Sequence, residues 1–545
     1  MPNGGSIVVD WMRESGLSHF FNVPGESFLP VLDALRDEPA IRLITNRHES
    51  GASFAADAFA KISGRPAVCM ATRGPGASNL SIGVQTAHYD STPMIALVGM
   101  VPTQMRDSRA FQEFDPASLF GSISKAVRRV DSVAQLPDVL AESLSIAKSG
   151  RPGPVVVGLP ADVLYADAVR GPGPPLATPD PMENEVGLVI DLLAAAERSV
   201  VIAATEAVRG DTASALARFA ELTGLPVFSA WRRYSAFDNR HANFAGSLGL
   251  GASVGLGAAL ASADLVVCVG FLEQITAQQA GLGRAGQTVV QLVPERDETL
   301  PRHLGEARCI QIVGDPARAA ANLAAWASAN ASAAAALRRR HADSTAATAR
   351  LGRGPAGEPR SGRVHLDHFM SRMNAIVEPN AIVTSDAGNF AQWLLRYFRF
   401  DESRSYAGPL NGAMGYGLPG AIGSRLAAPD RPVWCVAGDG GLLMTIGELE
   451  TATRHDLDAT VVVVNNEAYG TIRARQFAEN PSRLTGTDLG PVDFAGLATS
   501  MGWKSRRVSS DAEVDEALAE ARDEPGRRLI EVLVEPMPLS VDPAG

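Results

Sequence analysis

The sequence predicts an α/β fold with three domains, each built on a doubly wound parallel sheet. Short apolar runs alternate with helical patterns along the chain, and glycine or proline bounds many of these runs. The 545 residues suffice for three domains of ordinary size. Linkers rich in glycine and proline at 171–181 and 352–355 divide the chain into predicted domains at 1–170, 183–330 and 362–545.

Composition narrows the possible functions. The net charge of −11 includes no basic block, which argues against nucleic acid as a partner. The four cysteines are far apart and form no CxxC motif for metal or redox chemistry. No apolar run approaches the length of about 18 residues that a membrane span needs, and the N-terminus shows no signal-peptide pattern. We therefore expect a cytoplasmic protein without membrane contact.

In the first domain, apolar runs predict a strand ending near residue 22 and further strands at 41–45, 67–72, 94–100 and 154–159. Helical patterns occupy 27–35 and 49–62. Glu49 stands where a strand gives way to a helix. Taken alone, a carboxylate in the first turn of a helix is most often a solvated partner of the helix dipole.

The second domain is predicted from strands at 199–203, 226–229, 265–270 and 289–293, and a helical segment follows at 317–350. Its glycine-rich run at 246–257 has a spacing one residue too long for a dinucleotide-binding fingerprint. We interpret this run as a loop and the start of a helix.

The third domain carries the most specific pattern. Gly438-Asp439-Gly440 follows a buried strand at 432–437 and precedes a helical segment at 442–452, and the next strand, 459–464, ends on Asn465-Asn466. The carboxyl ends of neighbouring parallel strands form the ligand-binding edge of such sheets. Glycines and a helix start suit a phosphate, and Asp439 and Asn466 offer oxygen ligands of the kind that Mg²⁺ prefers. The alternative is that both motifs are ordinary turns.

The spacing from GDG to NN, about 25 residues, resembles that of thiamine diphosphate enzymes of the acetolactate synthase and pyruvate oxidase group. The segments 47–52, 74–79 and 111–113 match the same group in the same order. The resemblance implies pyrimidine-binding, central and diphosphate-binding domains. It also implies that Asp439, Asn466 and the carbonyl of Ala468 hold Mg²⁺ on the coenzyme. The implied coenzyme-binding residues are Pro24, Gly25, Gly76, Asn79, Gly388, Asn389, Phe390, Gly412, Met414, Gly438, Asp439, Gly440, Gly441, Asn466, Ala468, Tyr469 and Gly470.

The resemblance assigns catalytic roles to Glu49, Gln112 and Met414. Glu49 would hydrogen-bond the aminopyrimidine ring, which then takes the proton from C2 of the thiazolium. Met414 would be the bulky side chain over which the two rings fold, and Gln112 would hydrogen-bond the reacting adduct. In the family, Glu49 and the GDG motif meet across a subunit boundary. We therefore expect a homodimer or homotetramer with its active sites between chains.

The implied reaction is decarboxylation of a small-molecule 2-oxo acid such as pyruvate. Simple pyruvate decarboxylases carry a His-His pair in the region of residue 111, which this chain lacks, so we expect ligation to a second carbonyl acceptor. His48 and His88 are either proton donors or structural residues. The alternatives are a non-ligating decarboxylase or acetyltransferase of the same family, a non-catalytic protein that keeps the fold, and an NAD- or FAD-dependent oxidoreductase.

Three segments depart from the biosynthetic members of the family. Arg475 stands where those members have a tryptophan, and Arg473 and Arg475 either face an anionic acceptor or are surface charges. Pro24-Gly25-Glu26 replaces the usual Pro-Gly-Gly. The segments 248–252 and 271–274 lack the FAD-binding motifs of those members, which makes FAD doubtful.

Overall fold

The computed structural model describes residues 2–168, 186–208, 211–297, 300–351, 357–401, 404–536 and 541, so both predicted linkers lie outside the described residues. Three six-stranded sheets follow one another along the chain, and their strands pair in parallel. Helices flank each sheet. The predicted fold class is therefore confirmed.

The first sheet has the strand order β2-β1-β3-β4-β6-β5. Its strands are β1 (His19–Asn22), β2 (Arg42–Thr45), β3 (Ala67–Ala71), β4 (Met94–Met100), β5 (Ala126–Arg129) and β6 (Pro154–Pro160). The helices of this unit are α1 (Gly4–Glu14), α2 (Leu29–Arg36), α3 (Glu49–Ser63), α4 (Gly74–Tyr89), α5 (Pro116–Phe120), α6 (Leu136–Lys148) and α7 (Ala161–Tyr165).

The second sheet has the order β12-β11-β10-β7-β8-β9. Its strands are β7 (Ser199–Ala203), β8 (Val227–Ser229), β9 (Phe244–Ser247), β10 (Leu265–Val269), β11 (Thr288–Val293) and β12 (Arg308–Val313). The accompanying helices are α8 (Gly187–Ala195), α9 (Thr212–Thr223), α10 (Val254–Ala261), α11 (Gln274–Gln279), α12 (Leu300–His303), α13 (Pro316–Ala329) and α14 (Ala331–Leu351). The segment predicted as one helix at 317–350 is thus two helices that meet at Asn330.

The third sheet has the order β14-β13-β15-β16-β18-β17. Its strands are β13 (Ile382–Ser385), β14 (Ser405–Ala407), β15 (Val433–Gly438), β16 (Ala459–Asn465), β17 (Lys504–Val508) and β18 (Arg527–Leu533). Its helices are α15 (Leu366–Ile376), α16 (Ala391–Tyr397), α17 (Gly417–Ala427), α18 (Asp439–Thr445), α19 (Glu448–Arg454), α20 (Gly470–Glu479), α21 (Phe494–Ser500) and α22 (Val514–Asp523).

The first and third units share one hydrophobic core, because α3 packs directly against α17. Ala52, Ala55 and Phe59 of α3 lie in the same buried cluster as Leu418 and Ile422 of α17. The approach is close: a Cβ at position 423 would lie 2.0 Å from the carbonyl oxygen of Ala55, so only glycine fits there. The two units are therefore held together over a continuous apolar surface.

A buried polar cluster lies where the three units meet. Lys61 pairs with both Asp57 and Asp90 at 2.6 Å, Tyr416 donates a hydrogen bond to Asp57 at 2.8 Å, and Arg233 of the second unit donates to Asp90 at 3.1 Å. Burial raises the pKa of Asp57, and Lys61 opposes that rise. Such a cluster contributes specificity to the docking of units more reliably than net stability.

Within the described residues, no helix combines the length and the apolar character that crossing a bilayer requires.

Candidate active site

A cavity of about 320 Å³ opens at the carboxyl ends of the central strands of the third sheet. Its walls come from the residues that follow β13, β15 and β16, which is the edge where open parallel sheets bind ligands. All coenzyme-binding residues predicted in the third domain line it: Gly388, Asn389, Phe390, Gly412, Met414, Gly438, Asp439, Gly440, Gly441, Asn466, Ala468, Tyr469 and Gly470.

Three oxygen atoms converge at one end of this cavity. The amide oxygen of Asn466 lies 3.2 Å from a carboxylate oxygen of Asp439 and 2.9 Å from the carbonyl oxygen of Ala468. With no cation present, an amide would gain two hydrogen bonds by turning its NH₂ group towards these acceptors. Ligand oxygens about 3 Å apart are instead what an octahedral ion with bonds of about 2.1 Å requires. The donor set therefore fits Mg²⁺.

Asp439 is the one carboxylate of this oxygen cluster. Burial raises its pKa to about 6, and backbone N–H groups, including those of Gly440 and Ala468, partly offset the rise. A dication beside the carboxylate would favour its charged form strongly. The described residues contain no group of three or more His, Cys, Asp or Glu that could hold a metal, so the site relies on neutral oxygens as well as Asp439.

The wall beside these oxygens suits an anion. Gly470, the first residue of α20, lines the cavity, and no side chain caps this helix start. Its first N–H groups therefore lack intrahelical partners and are available to an anion in the cavity. A Cβ at position 470 would lie 2.8 Å from Nδ2 of Asn466 and 2.9 Å from Oδ1 of Asn389. Glycine at position 470 therefore leaves space that a diphosphate can occupy.

Met414 lies in a loop that the buried Asp386 holds in place. The carboxylate of Asp386 accepts the N–H of Gly415 at 2.8 and 3.0 Å, and Thr445 donates to the carbonyl of Gly415 at 2.9 Å. Burial raises the pKa of Asp386 to about 7. These hydrogen bonds fix the backbone next to Met414, whose side chain lines the cavity.

The second unit closes the cavity with residues that the sequence patterns did not predict: Trp231, Arg232, Tyr234 and Leu250. Arg232 is only 3% exposed and has a φ of 55°, in the left-handed region. It donates from Nη2 to the carbonyl of Asp386 at 3.2 Å, while Nε and Nη1 are buried without a hydrogen-bond partner among the described residues. A fixed positive charge in this wall favours an anionic occupant.

Glu49 and the other predicted residues of the first domain lie around the start of α4. Asn79 donates from Nδ2 to Oε2 of Glu49 at 2.9 Å, and a Cβ at position 76 would lie 3.2 Å from Oε1 of Glu49. Gly74 donates its N–H to the carbonyl of Gln112 at 3.0 Å, which places Gln112 beside the same helix start. Gly25 adjoins Thr72, as does Gly76, and Pro24 precedes Gly25 in this turn. We call Pro24, Gly25, Glu49, Gly76, Asn79 and Gln112 the Glu49 cluster.

The structure does not bring the Glu49 cluster into the cavity of its own chain. The described residues that line the cavity come from the second and third units, and Glu49 is not one of them. The sequence-based expectation that the two halves of the site belong to different chains is compatible with this separation.

The histidines and arginines considered from sequence lie away from the cavity. His48 caps α3 by accepting the N–H of Ser50 and contacts the Ser50 hydroxyl at 2.7 Å. His88 lies nine residues beyond Asn79 on α4, about 13 Å along a helix, and burial together with Arg151 lowers its pKa. Arg473 pairs with Asp488, and Arg475 is exposed; neither residue lines the cavity.

The second sheet offers a dinucleotide crevice between β7 and β10, where the strand order reverses. Two carboxylates lie there, the buried Glu206 and the partly buried Glu273. Glu206 accepts the N–H of Phe271 at 2.7 Å, and Glu273 accepts from the hydroxyls of Thr205 at 2.7 Å and Thr276 at 3.1 Å. Burial raises the pKa of Glu273. Ionised carboxylates at this point would repel the phosphates of a dinucleotide.

Comparison with known protein families covers all three units. Models described as the N-terminal TPP binding domain, the central domain and the C-terminal TPP binding domain of thiamine pyrophosphate enzymes match residues 2–119, 186–337 and 386–532.

Curated relatives are similar over nearly the full length. The acetolactate synthase isozyme 1 large subunit of Escherichia coli is 31% identical, over 98% of this chain and 94% of that protein. An acetolactate synthase of Mycobacterium bovis is 30% identical, over 95% and 86%. The probable chloroplastic acetolactate synthase 2 of Oryza sativa subsp. japonica is 31% identical, over 97% and 83%.

Proposed function

The chain belongs to the thiamine pyrophosphate enzymes, in the group of the acetolactate synthases, as its motifs predicted, and from this premise we propose its reaction. It decarboxylates a 2-oxo acid such as pyruvate and ligates the remaining fragment to a second carbonyl. The observation that carries this proposal is the convergence of three oxygens from Asp439, Asn466 and Ala468 beside the uncapped start of α20.

The third unit supplies the binding half of the site. Asp439, Asn466 and the carbonyl of Ala468 would hold Mg²⁺ on the coenzyme's diphosphate, and the N–H groups at Gly470 would donate hydrogen bonds to the diphosphate. Met414 supports the coenzyme from the braced loop at Gly415. The chemistry that thiamine diphosphate supplies when bound is addition to a carbonyl and uptake of the electron pair released with CO₂.

The first unit supplies the proton-handling half. Glu49 is 9% exposed and its Oε2 is held by Asn79, which leaves Oε1 for a ligand. In this role Glu49 shares a proton with a ring nitrogen of the coenzyme, so that the C2 proton can leave. A protein that kept the fold without catalysis would have no use for a carboxylate oriented in this way.

Because the Glu49 cluster and the cavity are separate in one chain, we propose a homodimer or homotetramer in which Glu49 reaches the partner's cavity. Exposed apolar side chains support such an interface. Phe111 is 79% exposed beside the Glu49 cluster, Ile472 lines the cavity and is 54% exposed, and Met444 of α18 is 51% exposed. Large apolar side chains in contiguous exposed patches are typical of association surfaces.

Ligation rather than simple release of an aldehyde is supported by the engagement of the histidine next to Glu49. The Glu49 carboxylate accepts a hydrogen bond from Asn79 and adjoins Gly76, and His48 is committed to Ser50. A site without a strong acid leaves the decarboxylated fragment free to attack a second carbonyl. We assign the hydrogen bond to that fragment to Gln112, which lies at the same helix start. The carboxylates of Glu206 and Glu273 support catalysis without FAD.

Incubation with pyruvate, thiamine diphosphate and Mg²⁺ tests the reaction. We expect acetolactate, which yields acetoin after acid treatment. Free acetaldehyde alone would mean a non-ligating decarboxylase, and an acetylated product that forms only with an added acceptor would mean an acetyltransferase. If pyruvate and a panel of other 2-oxo acids all stay unconsumed, the catalytic proposal is wrong.

A further inference from the structure

Glu448 is a buried carboxylate of the third unit that takes no part in the cavity. It is the first residue of α19, it is 1% exposed, and it is not among the residues that line the cavity. Its side chain crosses to the first unit. Oε1 accepts the backbone N–H groups of Arg47 at 3.0 Å and His48 at 3.2 Å, and Oε2 accepts Nδ2 of Asn46 at 2.8 Å.

These three donors belong to the turn that immediately precedes Glu49. Asn46, Arg47 and His48 join the end of β2 to the start of α3, and Glu49 is the first residue of that helix. Two backbone N–H groups on one carboxylate oxygen fix the turn in position and in orientation. Burial raises the pKa of Glu448, and its hydrogen bonds, including those from Asn46, Arg47 and His48, oppose the rise.

Helices α19 and α3 pack closely against each other at Glu448. A Cβ at position 51, two residues after Glu49, would lie 2.2 Å from Oε1 of Glu448, so glycine is required there while the carboxylate stays in place. The far end of α19 holds the end of β2 as well. Arg454 donates to the carbonyl of Thr45 at 2.6 Å, and the N–H of Thr45 donates to Nε2 of His455 at 3.3 Å.

We propose that Glu448 is a positioning residue for Glu49. It sets where the first turn of α3 stands, and through that turn it aims the Glu49 carboxylate; the inference rests on the proposed function, because it takes Glu49 to act on the coenzyme. The helix that follows the GDG motif of one chain would then align the carboxylate that serves the partner's coenzyme.

The first test measures how firmly the turn before Glu49 is held, and it needs no coenzyme. Amide hydrogen exchange over residues 46–51 of the intact protein should rise at least about tenfold in Glu448→Ala, because Arg47 and His48 lose their acceptor. Glu448→Gln keeps one oxygen for both N–H groups, and the free Oδ1 of Asn46 can accept from the new amide, so protection should be retained. Glu450→Ala is the matched control, since it removes a half-exposed ion pair to the Arg47 side chain, 2.8 Å long, from the same helix.

The second test measures the effect of Glu448 on proton exchange in the bound coenzyme. With thiamine diphosphate and Mg²⁺ bound, exchange of the coenzyme's C2 proton for deuterium should slow by about tenfold to a hundredfold in Glu448→Ala, since misplacement of a reacting group by about 1 Å costs that much. Coenzyme affinity should stay near the wild-type value, because Glu448 does not line the cavity. Glu448→Gln and Glu450→Ala should exchange at close to the wild-type rate.

Glu49→Gln separates the two proposals. If it slows C2 exchange while Glu448→Ala shows wild-type exchange and amide protection, the positioning role is wrong and the proposed function stands. If Glu49→Gln itself exchanges at the wild-type rate, the proposed function fails. Should Glu448→Ala not fold, Gly51→Ala decides, because its Cβ displaces the carboxylate while keeping Glu448: slow exchange supports the positioning role, and wild-type exchange overturns it.

Discussion

Asn79 donates a hydrogen bond from Nδ2 to Oε2 of Glu49 at 2.9 Å, from one helix of the first unit to the start of another. Oε1 of Glu49 receives no hydrogen bond from the part of the chain that the structure describes. One oxygen of the carboxylate is thus held while the other remains for a ligand. A single carboxylate can thereby be both oriented and reactive.

Removing the donor should therefore impair catalysis without harming the fold. Asn79→Ala should lower kcat about fivefold, because one hydrogen bond is worth about 1 kcal/mol. Ser78→Ala is the matched control, since Ser78 is exposed on the same helix and donates to the carbonyl of Gly74. Steady-state rates with pyruvate measure the difference. Equal kcat values for the two variants would show that Asn79 does not orient Glu49.

The metal site should depend on Asp439 above its other ligands, because Asp439 is the only charged group among the three oxygens. Asp439→Asn should weaken Mg²⁺-dependent coenzyme binding at least about tenfold, and a chelator should release coenzyme from the wild-type protein. Titration calorimetry with and without Mg²⁺ measures both effects. Asp430→Asn, a change in the loop before β15, is the control. If neither the chelator nor Asp439→Asn changes coenzyme binding, the proposed metal site is wrong.

The volume of Met414 should matter more than its chemistry. Met414→Ala removes a side chain that lines the cavity, and we expect coenzyme affinity to fall about tenfold or more, as burying such a side chain contributes about 1.5–3 kcal/mol. Met414→Leu conserves volume and should stay within a few-fold of wild type. The dissociation constant of thiamine diphosphate, measured by quenching of tryptophan fluorescence, separates the variants. If Met414→Leu lowers the coenzyme affinity as much as Met414→Ala does, side-chain volume at this position does not support the coenzyme.

Flavin should be absent from the purified protein, since Glu206 and Glu273 place carboxylates at the crevice between β7 and β10. We expect no absorbance band near 450 nm and no change in activity on addition of FAD. A stoichiometric flavin spectrum from the wild-type protein would contradict the argument from these carboxylates.

The part of the site in the third unit could be predicted from the sequence because its residues belong to one short segment of the chain. Asp439 and Asn466 follow neighbouring strands of one βαβ unit, so their proximity depends only on β15 pairing with β16. The helix predicted at 442–452 proved to be two, α18 and α19, which meet at Ile446 and Gly447.

Residues contributed by other units could not be predicted in this way. Trp231 and Arg232 reach the cavity through packing between segments about 150 residues apart, and their sequence resembles an ordinary loop. Several strands were not predicted, among them the interior strands β13 and β18. The edge strand Lys504–Val508 is largely polar, so it lacks the apolar run that marks a central strand.

The most direct test of the account is complementation between two inactive chains. Glu49→Gln and Asp439→Asn are each expected to be nearly inactive when expressed alone. If Glu49 serves the partner's Asp439 site, chains co-expressed in equal amounts should assemble randomly and recover about a quarter of the wild-type rate, because one site in four then pairs an intact Asp439 with an intact Glu49. A mixed preparation no more active than the two variants separately would contradict an active site shared between chains.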